Sequence, residues 1–385
     1  MNLFCFCLMI CLLAACLAAN AEPTTIPDSK PLPEFARGMD LSMLQHLEDH
    51  GVQYKEAGKV QDPLVIFRNH GVNYVRLRLF VNPNGKEGQV NTLPYTLKLA
   101  KSVKRAGLRF LLDFHYSDDW ADPGHQTIPA AWKTLSHPQL VEQVFAYTRD
   151  TVAAFGREGC LPDMVQVGNE ITNGMMWPAG GPLSDALKWN DITSQMSWPE
   201  GSAHVSPSWD AFADLVKAGI RGVRAADPKG RIKIMIHIDK GGNKDVSRYF
   251  FEHFRRLGVS FDIIGLSYYP FWHGSLPDLK ANLAFLANTY HKDIIVAETG
   301  YDWNGGEQGK LPFPPTREGQ KAFLEALIKT VAETPDGHGL GVFYWAPEWI
   351  MGAKWDGAKW SKVWENRALF DETGNSLPGL EAFGR

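Results

Sequence analysis

Beyond its first residues this chain has almost no cysteine. Four of the five fall at positions 5, 7, 11 and 16, and only Cys160 remains in the body. An internal disulfide framework is therefore excluded there, Cys160 is expected to be an inert loop or helix-end thiol, and the fold must rest on its core. Charge of one sign is also missing: 39 basic against 43 acidic residues leave a formal net charge of −4. That balance gives nucleic acid or an anionic membrane nothing to hold and suits a neutral ligand. No His-Glu-x-x-His segment and no cysteine pairing offers a metal site. No Gly-rich dinucleotide loop follows the first strand-like run, and no cofactor is expected. Internal repeats, charge blocks and signs of a second domain are lacking too.

The uncharged run from Leu3 to Ala19 is short and poorly flanked for a membrane span and reads as a targeting segment. Residues 1–21 are expected to be a signal peptide, with Ala19-Asn20-Ala21 as a small-x-small cleavage site. Leu13-Ala14-Ala15-Cys16 also resembles a bacterial lipoprotein box, which would cut before Cys16 and lipidate it. The expected location is outside the cytoplasm, either secreted or lipid-anchored at the cell envelope. Pro-rich residues 22–33 read as a linker, and 34–385 as a single domain.

What is present is regular alternation. Short apolar runs at 35–40, 73–80, 108–115, 163–169, 232–238, 262–268, 293–298 and 340–346 are rich in Val, Ile, Leu, Phe and Tyr. Strands covered on both faces have this composition. Amphipathic segments lie between them. Phe323, Leu324, Leu327, Ile328 and Val331 share one face of 316–333, with Thr316 as N-cap; 139–156 and 208–226 repeat the pattern. Gly71, Gly107, Gly258 and Gly339 fall where a helix should stop before the next strand. Eight strand–helix units predict an α/β fold closed into a single (β/α)8 barrel, a size class of roughly 250 residues and more. Hydrophobic content of 44% supplies the core.

Polar residues gather where the strands end: Asp40, Arg78, Asp113, His115, Asn169, Glu170, His237, Tyr268, Glu298 and Trp345. That is the face on which barrel enzymes build active sites. Glu170 and Glu298 each leave an apolar run, and each is followed by a long loop, roughly 171–207 and 299–315. Two carboxylates across a barrel mouth are the apparatus for breaking a glycosidic bond: one protonates the leaving oxygen and the other attacks. Glu298 is expected as nucleophile, held by Tyr268 or Tyr269 and kept ionised by Arg78. Glu170 must begin protonated to act as acid. Asn169 beside it can hydrogen-bond a sugar hydroxyl, and His237 can touch either carboxylate. Several of the 13 tryptophans sit in loop-like stretches (Trp120, Trp177, Trp272, Trp303, Trp349 and Trp355) and offer flat faces to sugar rings.

The stretch Ser117-Asp118-Asp119-Trp120-Ala121-Asp122-Pro123-Gly124-His125-Gln126, with Gly38-Met39-Asp40-Leu41-Ser42 before it, resembles the endo-β-1,4-galactanases of glycoside hydrolase family 53. Val167-Gly168-Asn169-Glu170-Ile171, Ser267-Tyr268-Tyr269-Pro270-Phe271-Trp272 and Val296-Ala297-Glu298-Thr299-Gly300-Tyr301 continue the match in order, so that it spans about 35 to 370. The resemblance implies hydrolysis of β-1,4-galactan, the side chain of type I arabinogalactan and pectin, within the chain and with retention. It implies Glu170 as acid/base and Glu298 as nucleophile, with sugar contacts from Asp40, Ser42, Asp113, His115, Trp120, Asn169, His237, Trp303 and Trp345. Some bacterial members hold calcium between their last rim loops. Here Asn304-Gly305-Gly306-Glu307-Gln308-Gly309 lacks a dense alternation of Asp and Asn, and no metal is expected. The expected partner is the polysaccharide alone, met by a monomer. Two alternatives stand beside this reading: a mannanase or cellulase sharing both glutamates, and a non-catalytic sugar-binding lipoprotein, which would need the aromatic platforms but neither carboxylate.

Overall fold

Eight parallel strands close on themselves: β1 (Ala36–Asp40), β2 (Tyr74–Leu79), β3 (Arg109–Phe114), β4 (Met164–Val167), β5 (Lys233–Ile238), β6 (Ile263–Ser267), β7 (Asp293–Glu298) and β8 (Gly339–Trp345), with β8 pairing back onto β1. The computed structural model describes residues 34–177, 208–306, 311–350 and 364–384. The expected signal segment and linker, Trp355 and most of the 171–207 loop lie outside the described residues. Each expected strand coincides with an observed one, its ends differing by at most two residues. Described residues from 34 onward belong to one compact unit, Pro31–Arg385. Among them no helix is long and apolar enough to cross a membrane.

The helices that pack on the barrel are α1 (Leu44–Asp49), α2 (Pro63–Asn69), α3 (Leu93–Arg105), α4 (His137–Arg157), α5 (Trp209–Ala226), α6 (Lys244–Arg256), α7 (Leu276–Tyr290) and α8 (Arg317–Ala332). Local chemistry sets their starts. The side chains of Thr92, Ser208, Asn243, Ser275 and Thr316 accept from backbone N–H groups of the first turn, satisfying donors that have no intrahelical partner. Gly107 and Gly258 follow α3 and α6 with positive φ, the left-handed stop expected of them. Gly339 has a different role. It is the first residue of β8, and a Cβ there would lie 1.7 Å from the carbonyl oxygen of Val331, so the close approach of α8 requires glycine. The alternation missed a small hairpin, Lys55–Glu56 with Lys59–Val60, whose arms are too short to show a period.

Strand geometry sorts the side chains into an outer and an inner core. Outward positions such as Val75, Leu77, Leu112, Val165 and Ile236 meet the apolar faces of the helices. Inward positions fill the barrel from below: Ala36, Tyr74, Leu111, Met164, Met235, Ile263, Ile295 and Phe343 form a separate apolar cluster. Two residues further along β2 to β5 the inward positions turn polar at Arg76, Asp113, Gln166 and His237, and on β1 they do so at Asp40, two beyond Gly38; all five are buried. Buried apolar side chains contribute about 1.5–3 kcal/mol each. Polar ones cost stability unless paired, so the upper layer must be internally satisfied.

Gly38 faces inward on β1, below Asp40, and leaves room for a ring. A Cβ there would sit 2.1 Å from Cδ1 of Phe343. Gly38→Ala is therefore expected to overpack the barrel and lower stability by about 1–3 kcal/mol. Urea unfolding checks this, and an unchanged midpoint would show that Phe343 moves aside freely.

Candidate active site

One guanidinium organises the polar layer. Arg76, 1% exposed, donates from Nη1 to Asp40 Oδ2 at 2.8 Å and from Nη2 to Asp113 Oδ2 at 2.9 Å and Asn169 Oδ1 at 2.7 Å. Its Nη2 also pairs with Glu298 Oε1 at 2.9 Å, and its Nε reaches Gln166 Oε1 at 3.3 Å. Five residues from four strands and their ends thus converge on one cation. Burial alone would lift the Asp113 carboxyl, but Arg76 and His115 outweigh it and hold the group below its ordinary value. His115 donates from Nε2 to Asp113 at 3.1 Å, while its Nδ1 accepts from the backbone of Ala121 at 3.0 Å. The expected partner of Glu298, Arg78, is not the one observed. Residues 74, 76 and 78 all face inward, but the strand stagger sets Arg76 level with the carboxylates. Arg78 lies one layer higher, donating to Asn91 at 3.1 Å with its guanidinium 4.1 Å from the Trp120 ring centre.

Glu298 reaches this cation through an irregularity. Ile294 and Val296 face the helices, and strict alternation would send residue 298 the same way. The pairing of β6 with β7 slips by one residue between Leu266 and Ser267, so that Ala297 and Glu298 both turn inward. Such a bulge re-aims one side chain without breaking the sheet. The Tyr269 hydroxyl donates to Glu298 Oε2 at 3.2 Å. Tyr268, the other expected holder, faces outward. It is fully buried, its hydroxyl donates to the carbonyl of Gly274, and its ring stacks on Phe323. It therefore does not reach the mouth. Burial raises the Glu298 carboxyl, Arg76 pulls it back, Asp113 and Asp40 add to the rise, and the result is about 7.

Glu170 leaves β4 by a strained route. Gly168 has φ 86° and Glu170 itself has φ 46°, a conformation uncommon outside glycine. A Cβ at Gly168 would sit 2.6 Å from Cγ2 of Ile171. Among the described residues Glu170 has no cationic partner comparable to Arg76. Its Oε1 lies 2.6 Å from Ser267 Oγ. Burial and then the charge of Glu298, with Asp239 adding, push its carboxyl far above the usual range. His237 does not contact either carboxylate directly. Its Nε2 is 2.9 Å from Ser267 Oγ, and its Nδ1 is 3.4 Å from the backbone nitrogen of Glu170. Burial, reinforced by Arg76, keeps the imidazole neutral.

The remaining expected site residues divide. Asn169 is buried between Arg76 and the carbonyl of Ala121, to which its Nδ2 donates at 2.7 Å. Ser42 is fully buried: its hydroxyl donates to Asp40 and accepts from the backbone of Arg78, so it fixes Asp40 from below the surface. Trp345, at the end of β8, forms an aromatic wall with Trp120, Trp349 and Trp364 at centroid distances of 6.4, 5.1 and 4.4 Å. Trp303 is not part of this wall. It is buried, with Arg317 5.2 Å over its ring. Of the other loop tryptophans, Trp272 is about half exposed, whereas Trp177 and Trp349 are buried. Sequence reasoning missed Arg76, Gln166, Ser267, Asp239 and Glu348. A charged residue in the middle of a strand buried on both faces was the available signal for Arg76. Glu307, Gln308 and Gly309 lie outside the described residues; among those described, no group of three or more His, Cys, Asp or Glu is placed to hold a metal ion.

The model of glycosyl hydrolase family 53 matches residues 36–383 of the chain. An arabinogalactan endo-β-1,4-galactanase from Cellvibrio japonicus is 35% identical over 96% of this chain and 95% of its own. A protein from Niallia circulans, known by its position in the bgaB 5′ region, is 42% identical over 90% of this chain and 93% of its own. The solved catalytic domain of an Ignisphaera aggregans protein of the same family superposes with a TM-score of 0.77 at 35% identity, covering 94% of this chain and 99% of that one.

Glu348 adds a third buried carboxyl beside the mouth. It is fully buried, its Oε1 accepts from the backbone of Met43 at 3.1 Å, and among the described residues its Oε2 has no partner. Burial, then Asp40, push it up to about 8. A carboxyl raised on folding contributes stability that is present below its unfolded value and lost as pH rises through the folded one. The protein should therefore lose stability between about pH 5 and 9. Glu348→Gln, neutral throughout, should reduce that loss by on the order of 1 kcal/mol at pH 9. Urea midpoints at pH 6 and 9 measure it, and equal falls in both proteins would place the titration elsewhere.

Proposed function

The chain belongs to glycosyl hydrolase family 53, and from that premise we propose that Glu170 and Glu298 carry out its endo-acting, retaining hydrolysis of β-1,4-galactan. The carrying observation is the contrast between two buried carboxyls at one barrel mouth. Glu298 has Arg76 and Tyr269 on its two oxygens, and among the described residues Glu170 has the hydroxyl of Ser267 alone. The group with the cation ionises first, and the group without it keeps its proton. Glu298 then attacks the anomeric carbon while Glu170 protonates the leaving oxygen. In the second half Glu170 takes a proton from water, which opens the glycosyl–Glu298 ester. The nearly balanced net charge suits an uncharged polysaccharide.

Galactan, as in type I arabinogalactan and pectin side chains, follows from the relatives named galactanases; the mannanase or cellulase alternative has no such support among them. The two placed carboxyls speak against a non-catalytic binding protein. Trp345 and Trp120 supply the flat wall for sugar rings, and Asn169 has a second amide hydrogen for the hydroxyl beside the reacting carbon. Asp40, Asp113, His115 and His237 act from below by fixing Arg76 and the two glutamates. We further propose that the protein works as an exported monomer, the apolar leader and the Cys16 box being the grounds for export; the mass of the mature N-terminus separates free from lipid-anchored forms.

The two glutamates should fail differently. Glu298→Ala should lose roughly 10⁴-fold or more in kcat on every substrate, because the nucleophile is gone. Glu170→Ala should lose about 10²–10⁴-fold on galactan yet keep much of its first step on aryl galactosides with good leaving groups. Initial rates on galactan and on an activated aryl galactoside measure this. Near-normal galactan hydrolysis by Glu298→Ala would refute the assignment.

A further inference from the structure

We propose that His237 and Ser267 are positioning residues that hold the proton on Glu170: His237 rests as its Nδ1–H tautomer, and Ser267 turns its hydroxyl hydrogen to His237 and offers Glu170 only a lone pair. The inference rests on the reading of Glu170 as the acid. It follows from donors and acceptors whose roles are fixed one after another.

A guanidinium can only donate, so the Asn169 atom 2.7 Å from Arg76 Nη2 is the carbonyl oxygen Oδ1. Asn169 Nδ2, on the other side, donates to the carbonyl of Ala121 at 2.7 Å, which fixes the same orientation independently. That Oδ1 lies 3.0 Å from His237 Nδ1. Two lone pairs at this distance repel, so Nδ1 must carry the hydrogen. The competing donors to Nδ1 are weaker. Gln166 Nε2 is 3.1 Å away, but Asp113 Oδ1 at 2.6 Å, Asn169 Oδ1 at 3.0 Å and the carbonyl of Gly168 at 3.1 Å already compete for its two hydrogens. The backbone nitrogen of Glu170 is 3.4 Å away.

A neutral imidazole with hydrogen on Nδ1 has a lone pair on Nε2. Ser267 Oγ, 2.9 Å from that Nε2, is therefore the donor. The hydroxyl has one hydrogen, and it is now used. At 2.6 Å from Glu170 Oε1, Ser267 Oγ can then only accept, which requires the carboxyl to be the donor and hence protonated. Fixed geometry thus runs from Arg76, which favours the ionised form of Glu298, through Asn169, His237 and Ser267 to the proton on Glu170. One cation specifies opposite protonation states at the two glutamates.

Other charges face the same groups. Glu170 also faces Glu298, Asp239 and Asp122, and the phenol of Tyr269 lies close. His237 faces Arg76, Asp113, His115 and His273. Removing only the Ser267 oxygen leaves all of them in place, so the sign of the resulting shift isolates the hydroxyl. An accepting hydroxyl stabilises the neutral acid. In Ser267→Ala the alkaline limb of kcat/KM on galactan should therefore move to lower pH, by about one unit. A hydroxyl donating to a carboxylate would stabilise the anion, and its loss would move the limb to higher pH. A limb that moves up or stays in place overturns the proposal.

The tautomer itself is read by nitrogen-15 NMR of histidine-labelled protein at a pH below that limb. The His237 signals are assigned by their loss in His237→Gln, or by their change in Ser267→Ala should that variant not fold. Hydrogen on Nδ1 is expected, and hydrogen on Nε2 overturns the proposal. This measurement needs no turnover. Galactan hydrolysis surviving Glu170→Gln would remove the acid assignment, whereas an Nε2–H tautomer in an enzyme inactivated by Glu170→Gln would remove the relay alone.

Discussion

The buried guanidinium of Arg76 is the constraint on which the mouth of this barrel depends. Three carboxylates, Asp40, Asp113 and Glu298, surround it within 2.9 Å, and none of them is more than slightly exposed. Carboxylates this close could not all remain charged without it. Breaking such a buried network by removing one member typically costs about 3–5 kcal/mol, since an uncompensated charge stays behind. The inward polar layer is therefore a single unit, laid over the apolar cluster of Tyr74, Leu111, Met164, Met235 and Phe343 that fills the barrel beneath it. Its members come from adjacent strands on one side and from β7 across the mouth, so closing the barrel is what assembles the charge cluster.

The same cation makes two chemically identical side chains unequal. Both glutamates are buried, and burial raises both. Only Glu298 has Arg76 to offset it. Two local departures from regular backbone produce that inequality. The slipped register between β6 and β7 turns Glu298 toward Arg76, and the left-handed conformation at Glu170 carries its side chain to Ser267. Each departure is a cost to the strand that bears it, and the surrounding packing has to hold it in place. Retention with double displacement needs one carboxyl ionised and one protonated at the start.

Strand positions were legible because parallel strands covered on both faces must be apolar, which leaves runs such as Met164–Val167 and Ile294–Ala297. The functional end was legible because polar residues collect there. What alternation resolves is direction, not height. Arg76 and Arg78 point the same way, and only the stagger of the whole closed sheet decides which of them meets Glu298. Tyr268 and Tyr269 differ by direction, and Ser267 as an inward residue separates them once it is recognised as such. Glu298 defeats alternation outright, since a bulge leaves no mark in a single sequence. Glu348 sits beyond the end of β8, where no period applies, so its burial against Met43 was beyond reach.

The division of labour between the two carboxyls comes down to which of them forms the bond to sugar. A 2-deoxy-2-fluoro galactobioside with an activated leaving group slows both displacements but lets the first proceed, so the intermediate accumulates. Incubation with the protein, digestion and peptide mass mapping then locate the attached sugar. The modified peptide should contain Glu298, with the Glu170 peptide unmodified. An adduct on Glu170, or inhibition without any covalent adduct, would contradict the assignment of opposite roles set by Arg76.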